Sequence, residues 1–159
     1  MSYNDQTVVF SGKSSVTSAL GANDPQVGTR KTFDGEDYLW IYNEGSASIP
    51  VTYACSLNGS GVVGYSCNIS NPTGTAQFVG MVKHTDIPTL NYGWLLTRGF
   101  ATVELGPSDS MVTGQLLGVG VNGQFAFKSG STGFPSRDVG HVLESIASGG
   151  SGPAYISIY

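Results

Sequence analysis

The side chains of this sequence whose types could carry chemistry are few: His84 and His141, Cys55 and Cys67, and the acidic run Asp34, Glu36 and Asp37. Zinc is held by His and Cys at short, recurring spacings, and neither cysteine has a second ligand at such a spacing, so no metal ligand is expected. In a hairpin symmetric about Gly61, Cys55 and Cys67 stand opposite each other, each six residues from the centre, and a disulfide is conceivable. With no export signal at the N-terminus, the expectation is instead two small buried thiols in a reducing compartment. The three acids could bind calcium or serve a glycosidase, but on a polar turn they read as solvated charges. A nucleophilic serine would need a base, an orienting acid and a Gly-x-Ser-x-Gly elbow, and no such elbow is present.

Two phosphate-binding patterns also dissolve on inspection. Gly118-Val-Gly-Val-Asn-Gly123 has dinucleotide-binding spacing, yet that motif needs a helix after it, and Gln124-Phe-Ala-Phe127 reads as a strand. Gly12-Lys13-Ser14 resembles the end of a phosphate loop, but Thr7 stands where the leading glycine belongs. The sequence therefore predicts no catalytic residue and no cofactor, and a protein that is not an enzyme.

Composition sets the frame in which these residues sit. The chain has 159 residues, 11% charged and 40% hydrophobic, with 23 glycines and a net charge of −4. One domain of this length buries enough surface to fold without a metal or disulfide scaffold. Glycine at twice its usual frequency points to short strands joined by tight turns. Seven scattered cations give no basic stripe for a phosphate backbone, so no nucleic-acid partner is expected. No run of 18 apolar residues is present, so no membrane span is expected either.

The elements that must position these residues are strands. Residues 1–25 read as an N-terminal arm whose one apolar run is Val8-Val9-Phe10, and residues 26–159 as a single β domain. Strands are predicted at Tyr38–Tyr42, Val51–Leu57, Val62–Ile69, Phe78–Val82, Tyr92–Leu105, Gln115–Val121, Gln124–Lys128 and Ala154–Tyr159. Asn122-Gly123 is the strongest hairpin signal, and Gly99 marks a bulge or bend in the longest strand. That strand is expected to carry Trp94, Leu96, Arg98, Phe100, Thr102 and Glu104 on one side. Trp94 and Tyr92 read as fold residues rather than interface residues. Val139, Val142, Leu143 and Ile146 fit helical spacing, so Asp138–Ala147 is either one short helix or a strand. No fixed-period repeat is visible. The fold class is all-β, a small β-barrel or β-sandwich with an extended N-terminal arm and at most one short helix.

Taken together, Gln26-Val-Gly-Thr-Arg30, Tyr38-Leu-Trp-Ile-Tyr42-Asn, Val79-Gly-Met-Val82, Ile87, Tyr92-Gly-Trp94-Leu-Leu-Thr-Arg-Gly-Phe-Ala101 and Val139-Gly-His-Val-Leu-Glu144 resemble the capsid decoration, or cement, proteins of tailed bacteriophages. The likeness covers Gln26 to the end, and its motifs are structural rather than chemical. It implies a β module that binds the outer surface of the assembled head without catalysis, as a homotrimer, with the major capsid protein and its own copies as partners. Such a protein is made in the bacterial host cytoplasm and resides in the virion. Candidate capsid or inter-subunit contacts are Val8, Val9 and Phe10 on the arm and Arg30 and Lys31 at the start of the domain. The rival expectation is a receptor- or glycan-binding knob or fibre module, since Tyr, Trp and Asn on β loops also serve sugars.

Overall fold

The structure is a computed structural model that describes residues 16–20, 24–57, 66–69, 77–127 and 139–158. It is all-β. Among the described residues the strands are β1 (Val16–Thr17), β2 (Arg30–Phe33), β3 (Glu36–Asn43), β4 (Ala54–Leu57), β5 (Ser66–Ile69), β6 (Phe78–Met81), β7 (Tyr92–Glu104), β8 (Leu116–Val119), β9 (Phe125–Phe127), β10 (Gly140–Val142) and β11 (Ser151–Ser157). They form one continuous sheet, antiparallel except where β3 runs parallel to β5. The sheet is not laced into a barrel along its length.

Tight turns do much of the shaping. Asp34 (φ 52°) and Gly35 (φ 80°) make a two-residue turn that folds β2 onto β3, with Phe33 opposite Glu36. Both central residues have positive φ, as the primed hairpin turns require. Asn122 (φ 54°) and Gly123 (φ 80°) turn β8 back onto β9. The glycine-rich run before them therefore ends in a strand, and the hairpin reading holds.

β7 carries the largest departure from simple alternation. Asp37 lies opposite Arg98 but Tyr38 lies opposite Leu96, so Thr97 is an extra residue, a β-bulge against β3. The Thr97 hydroxyl donates to the Asp37 carbonyl at 3.0 Å. One inserted residue shifts the two-residue period by one, so the side facing the apolar cluster changes from Trp94 and Leu96 to Ala101, Val103 and Leu105. The expected face joining Trp94 and Leu96 to Phe100 and Thr102 is thus broken at the bulge, beside Gly99 (φ 141°).

Of the helix and strand readings of 138–147, the described part takes the strand. Gly140, with φ 151°, sits in β10, and a Cβ there would lie 2.1 Å from the Tyr155 carbonyl oxygen. Val139, Val142 and Ile146 share the core through a strand and an isolated bridge between Ile146 and Met111, which mimics helical spacing.

The pairings also disclose a duplication. In the first unit, β3 meets the first half of β7 as Tyr38 with Leu96, Leu39 with Leu95, Trp40 with Trp94 and Ile41 with Gly93. In the second, the other half of β7 meets β11 as Phe100 with Tyr155, Ala101 with Ala154, Thr102 with Pro153 and Val103 with Gly152. The match continues through the pairings that close each unit, while β1 and β2 pair in the first unit alone among the described residues. Cys55 opposite Gly80 corresponds to Leu117 opposite Gly140, and Leu57 opposite Cys67 to Val119 opposite Phe125. The parallel pair Asn43 and Cys67 corresponds to Leu105 and Phe125, and the bridge Ile49 to Ile87 to that of Met111 to Ile146.

The nine buried residues of the first core are Leu39, Ile41, Ile49, Cys55, Cys67, Val79, Val82, Ile87 and Leu95. Each has a buried equivalent in the second: Ala101, Val103, Met111, Leu117, Phe125, Val139, Val142, Ile146 and Ala154. The sequence offset drifts, from 62 at Cys55 and Leu117 to 58 at Cys67 and Phe125 and 59 at Ile87 and Ile146, so no fixed period is visible in the letters.

Candidate functional site

Of the residues expected to make contacts, Val8, Val9 and Phe10 lie outside the described residues. Arg30 and Lys31 are consecutive on β2, so their side chains leave on opposite faces and are not brought together. Arg30 is exposed, while Lys31 is half-buried with its Nζ 5.0 Å from the centre of the Phe33 ring. Among the described residues β2 pairs with β3 alone, so there this cationic pair lies on an edge strand, where charge also discourages indiscriminate pairing. β1, within the segment read as an arm, pairs with Tyr92 and Gly93 of β7.

The densest polar constellation forms instead around Glu36, at the start of β3. The Asp34-Gly35 turn aims Glu36 toward the segment that follows β6, where Lys83 Nζ donates to both of its carboxylate oxygens at 2.5 and 2.7 Å. The Tyr38 hydroxyl donates to Glu36 Oε2 at 2.7 Å, and the Phe100 backbone N–H to Oε1 at 3.2 Å. Tyr38 Oη also lies 2.8 Å from His84 Nε2. With its single proton on Glu36, that hydroxyl accepts from His84, which fixes the Nε2–H form of the ring. Asp37, next along the strand, pairs with Arg98 at 2.8 Å and accepts from the Thr32 hydroxyl at 2.7 Å.

Burial alone would raise the Glu36 pKa, but the hydrogen bonds from Lys83 and Tyr38, the Lys83 charge and the Phe100 amide outweigh it, and the carboxyl sits below its ordinary range. Burial first, and then donation to the Glu36 carboxylate, pushes the Tyr38 phenol well up. Glu36 is thus ionised, with both oxygens engaged, and Tyr38 is neutral. This arrangement ties the start of β3, the end of β6 and the bulged stretch of β7 into one clamp between the two units. A Cβ on Gly99 would lie 2.8 Å from Glu36 Cγ, so the glycine is what lets the clamp close.

Cys55 and Cys67 are both buried, with no disulfide between them. They are not cross-strand partners: Cys55 faces Ile69 and Cys67 faces Leu57, a two-residue displacement from the symmetric hairpin. Burial raises the Cys55 thiol well above its usual range and pushes Cys67 up to about 12, so both are protonated and act as small apolar side chains. Among the described residues no group of three or more His, Cys, Asp and Glu is placed to hold a metal ion, and no helix is long and apolar enough to cross a membrane.

Sequence reading missed the clamp because it took the acids as a solvated turn. The signals were there: Asp-Gly between Phe33 and Glu36 is a hairpin turn, which makes Glu36 a strand residue. Lys83-His84 directly follows the apolar run Val79–Val82 and so emerges at a strand end. Trp94, by contrast, lies where expected, 4% exposed, with its ring 4.9 Å from Trp40 and 5.5 Å from Phe33.

No family model matches this chain, and no curated protein matches it. Among solved structures it is similar to the N base of the head fibre gp8.5 of bacteriophage phi29, with a TM-score of 0.50 and 13% identity. The similarity covers 76% of this chain and 94% of that one, and at such identity it is a likeness of fold.

Proposed function

We propose that this chain is a non-enzymatic structural protein of a tailed-phage virion, a decoration protein that binds the outer surface of the assembled head and stabilises it, acting as a homotrimer. The observation that carries the reading is the shared fold with a phage head fibre base over 94% of that chain, which agrees with the decoration-protein motifs of the sequence. The polar clamp supports it too, because its ionisable groups are committed to one another rather than to a substrate. Arg30 on the open edge of β2, and Val8, Val9 and Phe10 on the preceding segment, are the contacts assigned to the major capsid protein. Each contact need only be weak, since copies held on a lattice rebind locally at high effective concentration.

The test is co-sedimentation of the full chain with mature, decoration-free heads from the same source, with bound copies counted per particle. Saturation at hundreds of copies, on heads that then resist heat or osmotic shock, is expected. Changing Val8, Val9 and Phe10 together to serine is expected to remove most of that binding while leaving the melting temperature in place. The fibre likeness also favours a second reading, a receptor- or glycan-binding fibre module. Failure to bind heads, with a few copies per virion found on projecting fibres, selects that reading instead.

A further inference from the structure

The duplication lets each position of one unit be compared with its twin, and one row differs in its surroundings. In the first unit, Ala54, Met81, Leu96 and Tyr38 run side by side across β4, β6, β7 and β3. All four are fully buried, in one apolar cluster with the nine core residues of the second unit. Phe33 of β2 closes the end of the row, edge-on to Tyr38 at 5.6 Å and to Trp94 at 5.5 Å. The face is covered by apolar groups of the same chain.

The twin row in the second unit is Leu116, His141, Tyr155 and Phe100, side by side across β8, β10, β11 and β7. Here Phe100 is 60% exposed, Leu116 is 46% exposed, His141 is exposed and Tyr155 is half-buried. The rings are ordered against one another, with Phe100 edge-on to Tyr155 at 5.1 Å and His141 tilted against Tyr155 at 5.8 Å. Among the described residues no counterpart of β2 covers them, because β7 runs straight from one unit into the next, where the first unit has a hairpin.

We infer that this row is a self-association surface, occupied by a second copy of this chain. The occupant follows from continuity with the contact already present inside the molecule. The equivalent row of the first unit is there buried against the second unit of this chain, so a neighbouring copy offers the chemistry that this face is built to meet. The composition agrees. An aromatic and aliphatic centre is what well-packed interfaces place in their desolvated core, and the charges beside Phe100, Glu36 and Arg98, are already paired with Lys83 and Asp37. Covering the row therefore strands no lone charge. This inference gives a surface to the trimer expected of a head decoration protein, and its test uses no heads, so either reading can fail without the other.

The experiment is sedimentation equilibrium of the full chain over a wide concentration range, beside a double variant, Phe100→Ser with Leu116→Ser, and a control, Val112→Ser. Val112 is 58% exposed on a loop off the row, so it removes similar apolar surface elsewhere. Reversible self-association is expected for the unaltered chain, weakened roughly tenfold or more in the double variant and less than about threefold in the control. Both row positions are exposed, so the variants should melt with the parent. If the double variant melts early, Leu116→Lys alone, at the end of the row, repeats the reading. A chain that stays monomeric to roughly millimolar concentration overturns the inference, as does association that the double variant leaves unchanged or that the control weakens equally.

Discussion

The two units share the same core strand pairings yet fill their cores differently. In the first, Leu39 and Leu95 face each other across β3 and β7, and Cys55 and Cys67 are small. In the second, the facing pair is Ala101 and Ala154, and the positions of the cysteines hold Leu117 and Phe125. Bulk lost at one end of the core is restored at the other, which is how volume-conserving cores keep their density. The cysteines are thereby explained: they are the small half of a trade, not a redox pair.

The sharpest way to break this comparison is to move one unit's residues into the other. Leu39→Ala alone should cost about 2–5 kcal/mol, because it leaves a cavity facing Leu95. Adding Leu95→Ala, Cys55→Leu and Cys67→Phe installs the second unit's residues at all four of these positions, and denaturant melts should show a substantial part of that loss recovered. No recovery would mean that the units agree in register but not in packing.

The next effect tests the clamp that holds the units together. Glu36→Gln should destabilise by roughly 2 kcal/mol near neutral pH, since it leaves Lys83, only 22% exposed, without its carboxylate. Because the folded-state pKa of Glu36 lies below its ordinary 4.5, the pair's contribution is complete above that value and is lost as pH falls through the lower folded value. Parent and variant melting curves should therefore converge in acid. A gap that stays constant with pH would remove the charge from the explanation.

The smallest effect sharpens the comparison at a turn. Leu90 (φ 59°) and Gly149 (φ 64°) occupy the same place, one with a strained, 58% exposed leucine and the other with the residue that tolerates such a backbone. Leu90→Gly should raise stability by up to about 1 kcal/mol, read as a shift in melting temperature, with the entropy of the added glycine taking back part of the gain.

Much of the fold was legible because β-branched and aromatic runs such as Tyr38–Tyr42 and Tyr92–Leu105 announce themselves, and Asn122-Gly123 marks its own turn. What was not legible depends on partners distant in sequence. The Thr97 bulge exists only against Asp37, and Glu36 is half-buried because Lys83 and Phe100 close on it. The duplication leaves few identical letters, among them Val79 and Val139, Gly80 and Gly140, Val82 and Val142, and Gly93 and Gly152. Those glycines recur for a physical reason. A Cβ on Gly93 would lie 2.7 Å from Ile87, and one on Gly152 would lie 2.6 Å from Ile146, the twin contact.

β7 is the last strand of one unit and the first of the next, a single 13-residue element that belongs to both. Neither unit can release it without opening the other's core, so the halves cannot melt in turn like beads on a string. A load passed from one end of the molecule to the other has to cross this common strand. There the hydrogen bonds to β3 along its first half pass into those to β11 along its second, so the two units are expected to resist a pull, and to yield, together.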